Sequence, residues 1–154
     1  MTPHQIKELA EKRFEAHAAM CGVDAYLHRL FDTSDIRAAS RRDAQKTFAH
    51  LPKNPADYVV TINGRMFYAE VKGTDTESFR LTRIEQSQLA GMIRQHAADG
   101  EYFVFIHQVT DNEWFRIPGE FFVDNHNGPK VATLKLCNLR NLYGCRTNPF
   151  DSFR

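Results

Sequence analysis

Asp57 and the triplet Glu70-Val-Lys72 are the residues in this chain whose types and spacing could do chemistry. They sit on either side of Asn63-Gly64, and Asn-Gly between two β-branched and aromatic runs is a strong signal for a two-residue type I′ hairpin loop. With that turn the register is fixed: Ile62 faces Arg65, Thr61 faces Met66, Tyr58 faces Ala69, and Asp57 faces Glu70. Cross-strand partners have Cβ atoms roughly 4.5–5.5 Å apart, so two opposed carboxylates repel unless a positive charge lies between them. A divalent cation removes that repulsion. Side chains alternate along a strand, so Lys72 emerges on the face of Asp57 and Glu70. The other face carries Tyr58, Val60, Ile62, Phe67, Ala69 and Val71 and is apolar enough to meet a core, which leaves the charged face free for chemistry.

The elements around the hairpin read as a mixed α/β pattern of helix, strands, helix and strand. Thr2, Pro3 and Gln5 form a capping box for a first helix running to about Met20, with Ile6, Leu9, Ala10, Phe14 and His17 as its stripe. Val23 to Phe31 reads as a strand. Gly73 to Thr76 reads as a loop, and Thr82-Arg-Ile-Glu85 as the capping box of a second helix whose stripe is Ile84, Leu89, Met92, Ile93 and His96. Tyr102 to Ile106 is a strand buried on both faces, Glu113 to Ile117 an edge strand, Pro118 to Phe122 the start of a short helix, and Val131 to Leu136 a last strand.

At 154 residues and 42% hydrophobic the chain suits one domain with one core. No apolar run reaches membrane-spanning length, and the Met-Thr-Pro-His-Gln start leads into charged residues rather than a signal peptide, so a soluble intracellular protein is expected. Cys21, Cys137 and Cys145 form no CxxC pair; the choice is between buried thiols and a zinc site such as His17 with Cys21. The net charge of +1 does not mark a nucleic-acid binder. Its distribution says more. Residues 37–53 hold Arg37, Arg41, Arg42, Lys46 and Lys53 against Asp43 alone, and residues 125–150 hold Lys130, Lys135, Arg140 and Arg146 with no acid. Either segment could be a solvated surface, or the pair could flank an acidic catalytic centre that acts on a polyanion.

Asp57 followed by Glu70-Val-Lys72 looks like the PD-(D/E)xK nuclease signature, with Ala56 inserted after Pro55. Phe14-Glu15, Arg29-Leu-Phe-Asp32, Pro52-Lys-Asn-Pro55, Ser78-Phe-Arg-Leu81 and Gln88 stand around it in an order and spacing that resemble the RecU family of Holliday junction resolvases, especially its shorter phage-type members. The likeness covers roughly residues 10–108. It implies a restriction-endonuclease-like core, a mixed central β-sheet flanked by helices, as a single nuclease domain over 1–154. Asp57, Glu70, the backbone carbonyl of Val71 and Glu15 would hold Mg²⁺, with Mn²⁺ as a substitute, because hard cations take oxygen ligands. Glu11 is the alternative first-helix acid. Lys72 would orient or help deprotonate the attacking water, and Gln88 would position the water or a phosphate oxygen; the alternative for Gln88 is an exposed helix glutamine.

The resemblance also implies a DNA-phosphate contact for Arg29 and a site-facing position for Asp32, against a simple salt bridge between them. Residues 36–54 would project as a basic stalk into the junction, making Arg37, Arg41, Arg42, Lys46 and Lys53 DNA contacts, with Arg80 and Arg83 as further ones. The partners implied are branched DNA and a second copy of the chain in a C₂ homodimer, with no membrane, in the cytoplasm of a bacterium or a phage-infected host. Two other readings stand beside this one: a related nuclease acting on other branched or linear DNA, and a non-catalytic DNA-binding protein of the same fold.

Overall fold

The computed structural model describes residues 1–30, 53–127, 132–151 and 153. Helix α1 spans Pro3–Met20 and opens on the expected capping box, with the Thr2 side chain accepting from the Gln5 N–H and the Gln5 side chain accepting from the Thr2 N–H. Strand β1 (Ala25–Arg29) is followed by the hairpin of β2 (Tyr58–Ile62) and β3 (Arg65–Thr74). The short β4 (Ser78–Arg80) precedes helix α2 (Gln86–Ala97), and β5 (Glu101–Gln108) and β6 (Glu113–Pro118) lead to α3 (Gly119–Asn127). The chain closes with β7 (Thr133–Lys135), α4 (Leu136–Tyr143) and β8 (Gly144–Arg146).

Six strands form one sheet in the order β1-β2-β3-β5-β6-β8, in which β3 and β5 are parallel and every other pair is antiparallel. Strands β4 and β7 make a separate two-stranded ribbon. The hairpin has the register that its turn dictates: Ile62 pairs with Arg65, Thr61 with Met66 and Tyr58 with Ala69. Asn63 at φ 49° and Gly64 at φ 77° supply the two left-handed residues of that turn. The first helix, the antiparallel β1–β2–β3 and the strand parallel to β3 make the mixed α/β architecture that the resemblance implies.

Each face of the sheet buries its own core. On one, Ala10, Phe14 and Ala18 of α1 meet Tyr58, Val60, Phe67, Ala69 and Val71. On the other, Leu89 and Met92 of α2 meet Val104, Ile106, Phe115 and Ile117. The face of Asp57 and Glu70 is therefore not left open, which corrects the expectation from alternation alone. The cause is β5: Glu70 pairs with Val104 and Lys72 with Ile106, and a central parallel strand is covered on both sides. Glu70 keeps only 1% of its surface.

Other expectations shift in smaller ways. The Gly73–Thr76 loop begins later, because β3 continues to Thr74. The second helix starts at Gln86, since Ile84 and Glu85 are extended and Leu81–Arg83 form a separate 3₁₀ turn; its capping box is Glu85 with Gln88, not Thr82 with Glu85. In its stripe Leu89 and Met92 are buried whereas Ile93 is exposed. Strand β6 is interior, because β8 pairs along its outer side. Cys137 is exposed and the other two cysteines are partly buried, so the three are not a set of buried thiols. No helix among the described residues is long and apolar enough to cross a membrane.

Candidate active site

Three backbone contacts hold Asp57 at the mouth of the hairpin. Its carbonyl accepts from the Leu30 N–H at 2.7 Å, the carbonyl of Pro55 two residues before it accepts from the Tyr102 hydroxyl at 2.6 Å, and its own Oδ2 accepts from the Val71 N–H at 2.9 Å. The last bond ties the acid of the first strand to the middle of Glu70-Val-Lys72. The N–H and C=O of one strand residue point to the same edge, so the Val71 carbonyl also faces the Asp57 side of β3.

Glu70 is surrounded. Lys72 Nζ lies 2.6 Å from its Oε1, and Gln88 Nε2 donates to the same oxygen at 2.5 Å. Its Oε2 is buried and finds no hydrogen-bond partner among the described residues. Burial, and after it the charge of Asp57, push the Glu70 carboxyl up to about 8; Lys72 opposes that rise without cancelling it. A buried carboxyl oxygen that lacks a donor, beside a second carboxylate, is a site short of positive charge.

Gln88 does two jobs from the first turn of α2. Its Oε1 accepts from the Glu85 N–H at 2.8 Å, completing the capping box, while its amide nitrogen holds Glu70. It is 8% exposed, so it is not a surface glutamine. Gln88→Ala removes half of the cap and, among the described residues, the one neutral donor to Glu70, and is expected to cost about 1 kcal/mol of stability. Urea denaturation of the two proteins measures the loss.

The structure does not bring Glu15 to this cluster. Its carboxylate accepts from the Tyr58 hydroxyl at 2.9 Å and from Arg29 at 3.4 Å. Glu11 is buried, 3.0 Å from Arg29 and 3.5 Å from Lys7. Arg29 thus bridges the two helix acids. The cleft around Asp57, Glu70 and Lys72 is lined instead by Lys7 of α1, together with Lys53, Glu85 and Ser87. Burial alone lowers the Lys7 ammonium, yet Glu11, Asp57 and Glu70 together raise it above its ordinary value. No signal local to residues 1–12 announces that approach, because it depends on how α1 meets the end of β3.

Several expected DNA contacts have protein partners. Lys53 lies 3.1 Å from Glu85, and Arg83 donates to the Gly73 carbonyl at 2.8 Å with its guanidinium over the Phe79 ring. Arg140, in the second basic segment, is held by both oxygens of Glu113. Arg80 is exposed on β4. Asp32, Arg37, Arg41, Arg42 and Lys46, and with them most of the 36–54 stalk, lie outside the described residues.

The donor set fits a hard dication. It comprises two carboxylates, one of them with a buried oxygen that has no hydrogen-bond partner among the described residues, and a main-chain carbonyl turned the same way. No group of three or more acids, histidines or cysteines gathers for a metal among the described residues. Mg²⁺ suits such a set, since it takes one or two protein carboxylates and keeps several waters.

Residues 32–142 match the RecU family, Recombination protein U. The chain belongs to the RecU family, a family of Holliday junction resolvases. The match reaches farther toward the C-terminus than the motifs do, and it leaves out α1 with Glu15. No curated protein matches the chain. Among solved structures, Hjc of Archaeoglobus fulgidus, a Holliday junction resolvase from an archaeal hyperthermophile, is similar at 11% identity, with 94% of this chain and 88% of that one covered and a TM-score of 0.49.

Proposed function

We propose that this protein is a Mg²⁺-dependent, structure-selective DNA endonuclease that resolves four-way junctions by two matched phosphodiester cuts, with Mn²⁺ able to substitute. The observation that carries this reading is buried Glu70 beside half-buried Asp57, with Lys72 and Gln88 on Glu70, in a chain of the RecU family. A metal ion held by Asp57, Glu70 and the Val71 carbonyl would supply Lewis-acid stabilisation of the phosphate and a water of lowered pKa.

The chain's own residues do the rest. Asp57 and Glu70 are fixed before substrate arrives, the first by the Val71 N–H and the second by Gln88, so little reorganisation is needed at the moment of reaction. Lys72, half sheltered by β3 and α2, orients the attacking water at its ammonium and offsets charge that develops on the phosphorane. A four-way junction has two-fold symmetry, and a C₂ homodimer presents two identical sites to it. The setting is the cytoplasm of a bacterium or a phage-infected cell.

A panel of four-way junction, flap, nicked and linear DNAs in Mg²⁺ tests the substrate. Preferential paired cutting of the junction is expected, and equal cutting of linear duplex would move the protein to a general nuclease. The segment 36–54 adds a separate expectation. Replacing Arg37, Arg41, Arg42 and Lys46 by alanine should weaken junction binding more than binding to a duplex of equal length, across a salt series. Parallel losses on both DNAs, with the salt slope falling by about one per lost phosphate contact, would instead make the segment a general electrostatic surface.

A further inference from the structure

Lys7 enters the cleft from a part of the chain that neither the Asp57–Lys72 motif nor the family match includes. Its approach depends on Gly73. A Cβ on that residue would stand 2.6 Å from the Ile6 carbonyl oxygen, so the backbone just before Lys7 lies against the strand just after Lys72. Three ammonium groups line the cleft. Lys72 is held at 2.6 Å by Glu70, and Lys53 at 3.1 Å by Glu85. Lys7 differs: its ion pair is the longer 3.5 Å contact to Glu11, one turn along its own helix, and its side chain keeps 57% exposure. Glu11 is in turn anchored by Arg29 at 3.0 Å and is itself buried.

The cleft thus has a cation that stands on a fixed carboxylate and is not bound to either acid of the Asp57–Glu70 pair. A phosphate that enters beside two carboxylates meets repulsion, and a solvent-reachable ammonium at the rim offsets it. We infer that Lys7 binds a phosphate of the DNA strand being cut, and that Glu11 is the positioning residue that holds it there. The inference rests on the nuclease reading above. A contact to substrate phosphate is made before and during the reaction alike, so its loss raises KM and spares kcat.

The test compares Lys7→Ala and Lys7→Arg with Lys12→Ala, whose lysine is on the same helix, paired with Glu8 at 2.9 Å and 70% exposed. Lys7→Ala is expected to raise the KM for junction cleavage about tenfold with kcat within about twofold, and to lower the slope of log binding constant against log salt by about one. The binding series is run in Glu70→Gln so that the DNA stays intact. Lys7→Arg, which keeps the charge, should recover most of the affinity, and Lys12→Ala should match the parent. An unchanged KM and salt slope in Lys7→Ala, or an equal loss in Lys12→Ala, overturns the inference. If the wild type cuts no junction, the nuclease reading falls, and the salt slope still decides whether Lys7 touches phosphate.

Discussion

Glu70→Gln should abolish cleavage and at the same time raise the melting temperature of the metal-free protein at alkaline pH. Cleavage falls because the substitution deletes one of two carboxylates available to a dication; a loss on the order of 10²–10³-fold in kcat is the scale for removing one group that stabilises transition-state charge. Stability rises because the fold disfavours a charge on buried Glu70. Its carboxyl is pushed from 4.5 up to about 8 by burial and by Asp57. A group that holds its proton more tightly when folded contributes stability that is complete below its unfolded value and is lost as pH climbs through the folded one. The metal-free wild type should therefore lose the Glu70 contribution between about pH 4.5 and pH 8, a loss that Glu70→Gln does not share. The glutamine carbonyl can still accept from Lys72 and Gln88. Thermal melts in EDTA at the two ends of the window measure this, and a wild type that melts as high as the variant at the alkaline end would show that neither burial nor Asp57 penalises the Glu70 charge.

Lys72→Ala should lose far more in turnover than in metal affinity. An ammonium cannot be a ligand, so its part is played on the water or the phosphorane, and kcat is expected to fall on the order of 10²–10³-fold. Lys72 also restrains the rise of the Glu70 carboxyl, so without it Glu70 holds its proton more tightly in competition with the metal. That secondary effect shrinks as pH rises and Glu70 gives up its proton. Titrating Mg²⁺ at pH 7 and again near pH 9 separates the two: the half-saturating concentration should move toward the wild-type value while kcat stays low. Equal losses in kcat and in metal affinity at both pH values would give Lys72 a structural role.

The hairpin was legible because Asn63-Gly64 leaves one register open, and every pair from Tyr58 with Ala69 to Ile62 with Arg65 follows from it. The first capping box was legible for the same reason: its partners are three residues apart. What escaped depends on distant chain. The alternation rule left the Glu70 face open, because it does not say that Val104 and Ile106 extend that face under α2. The rule for helix starts reads Thr82 with Glu85, whereas the helix uses Glu85 with Gln88. That choice also brings the Gln88 amide to Glu70. Helix α4 and strand β8 are too short for periodicity, at eight and three residues. Lys7 was hidden because its place is set by Gly73 and Ile6 across the fold, and no spacing between residues 1 and 12 encodes it.

The most direct measurement is a cleavage assay on an end-labelled four-way junction with the wild type in Mg²⁺, the wild type in EDTA, and Glu70→Gln in Mg²⁺. Paired symmetric cuts in the first reaction and intact, protein-bound junction in the other two are the expected result. Junction that stays bound but uncut by the wild type in Mg²⁺ and in Mn²⁺, or that Glu70→Gln cuts at the wild-type rate, would contradict the assignment of Asp57 and Glu70 as the metal-binding centre of a junction-resolving nuclease.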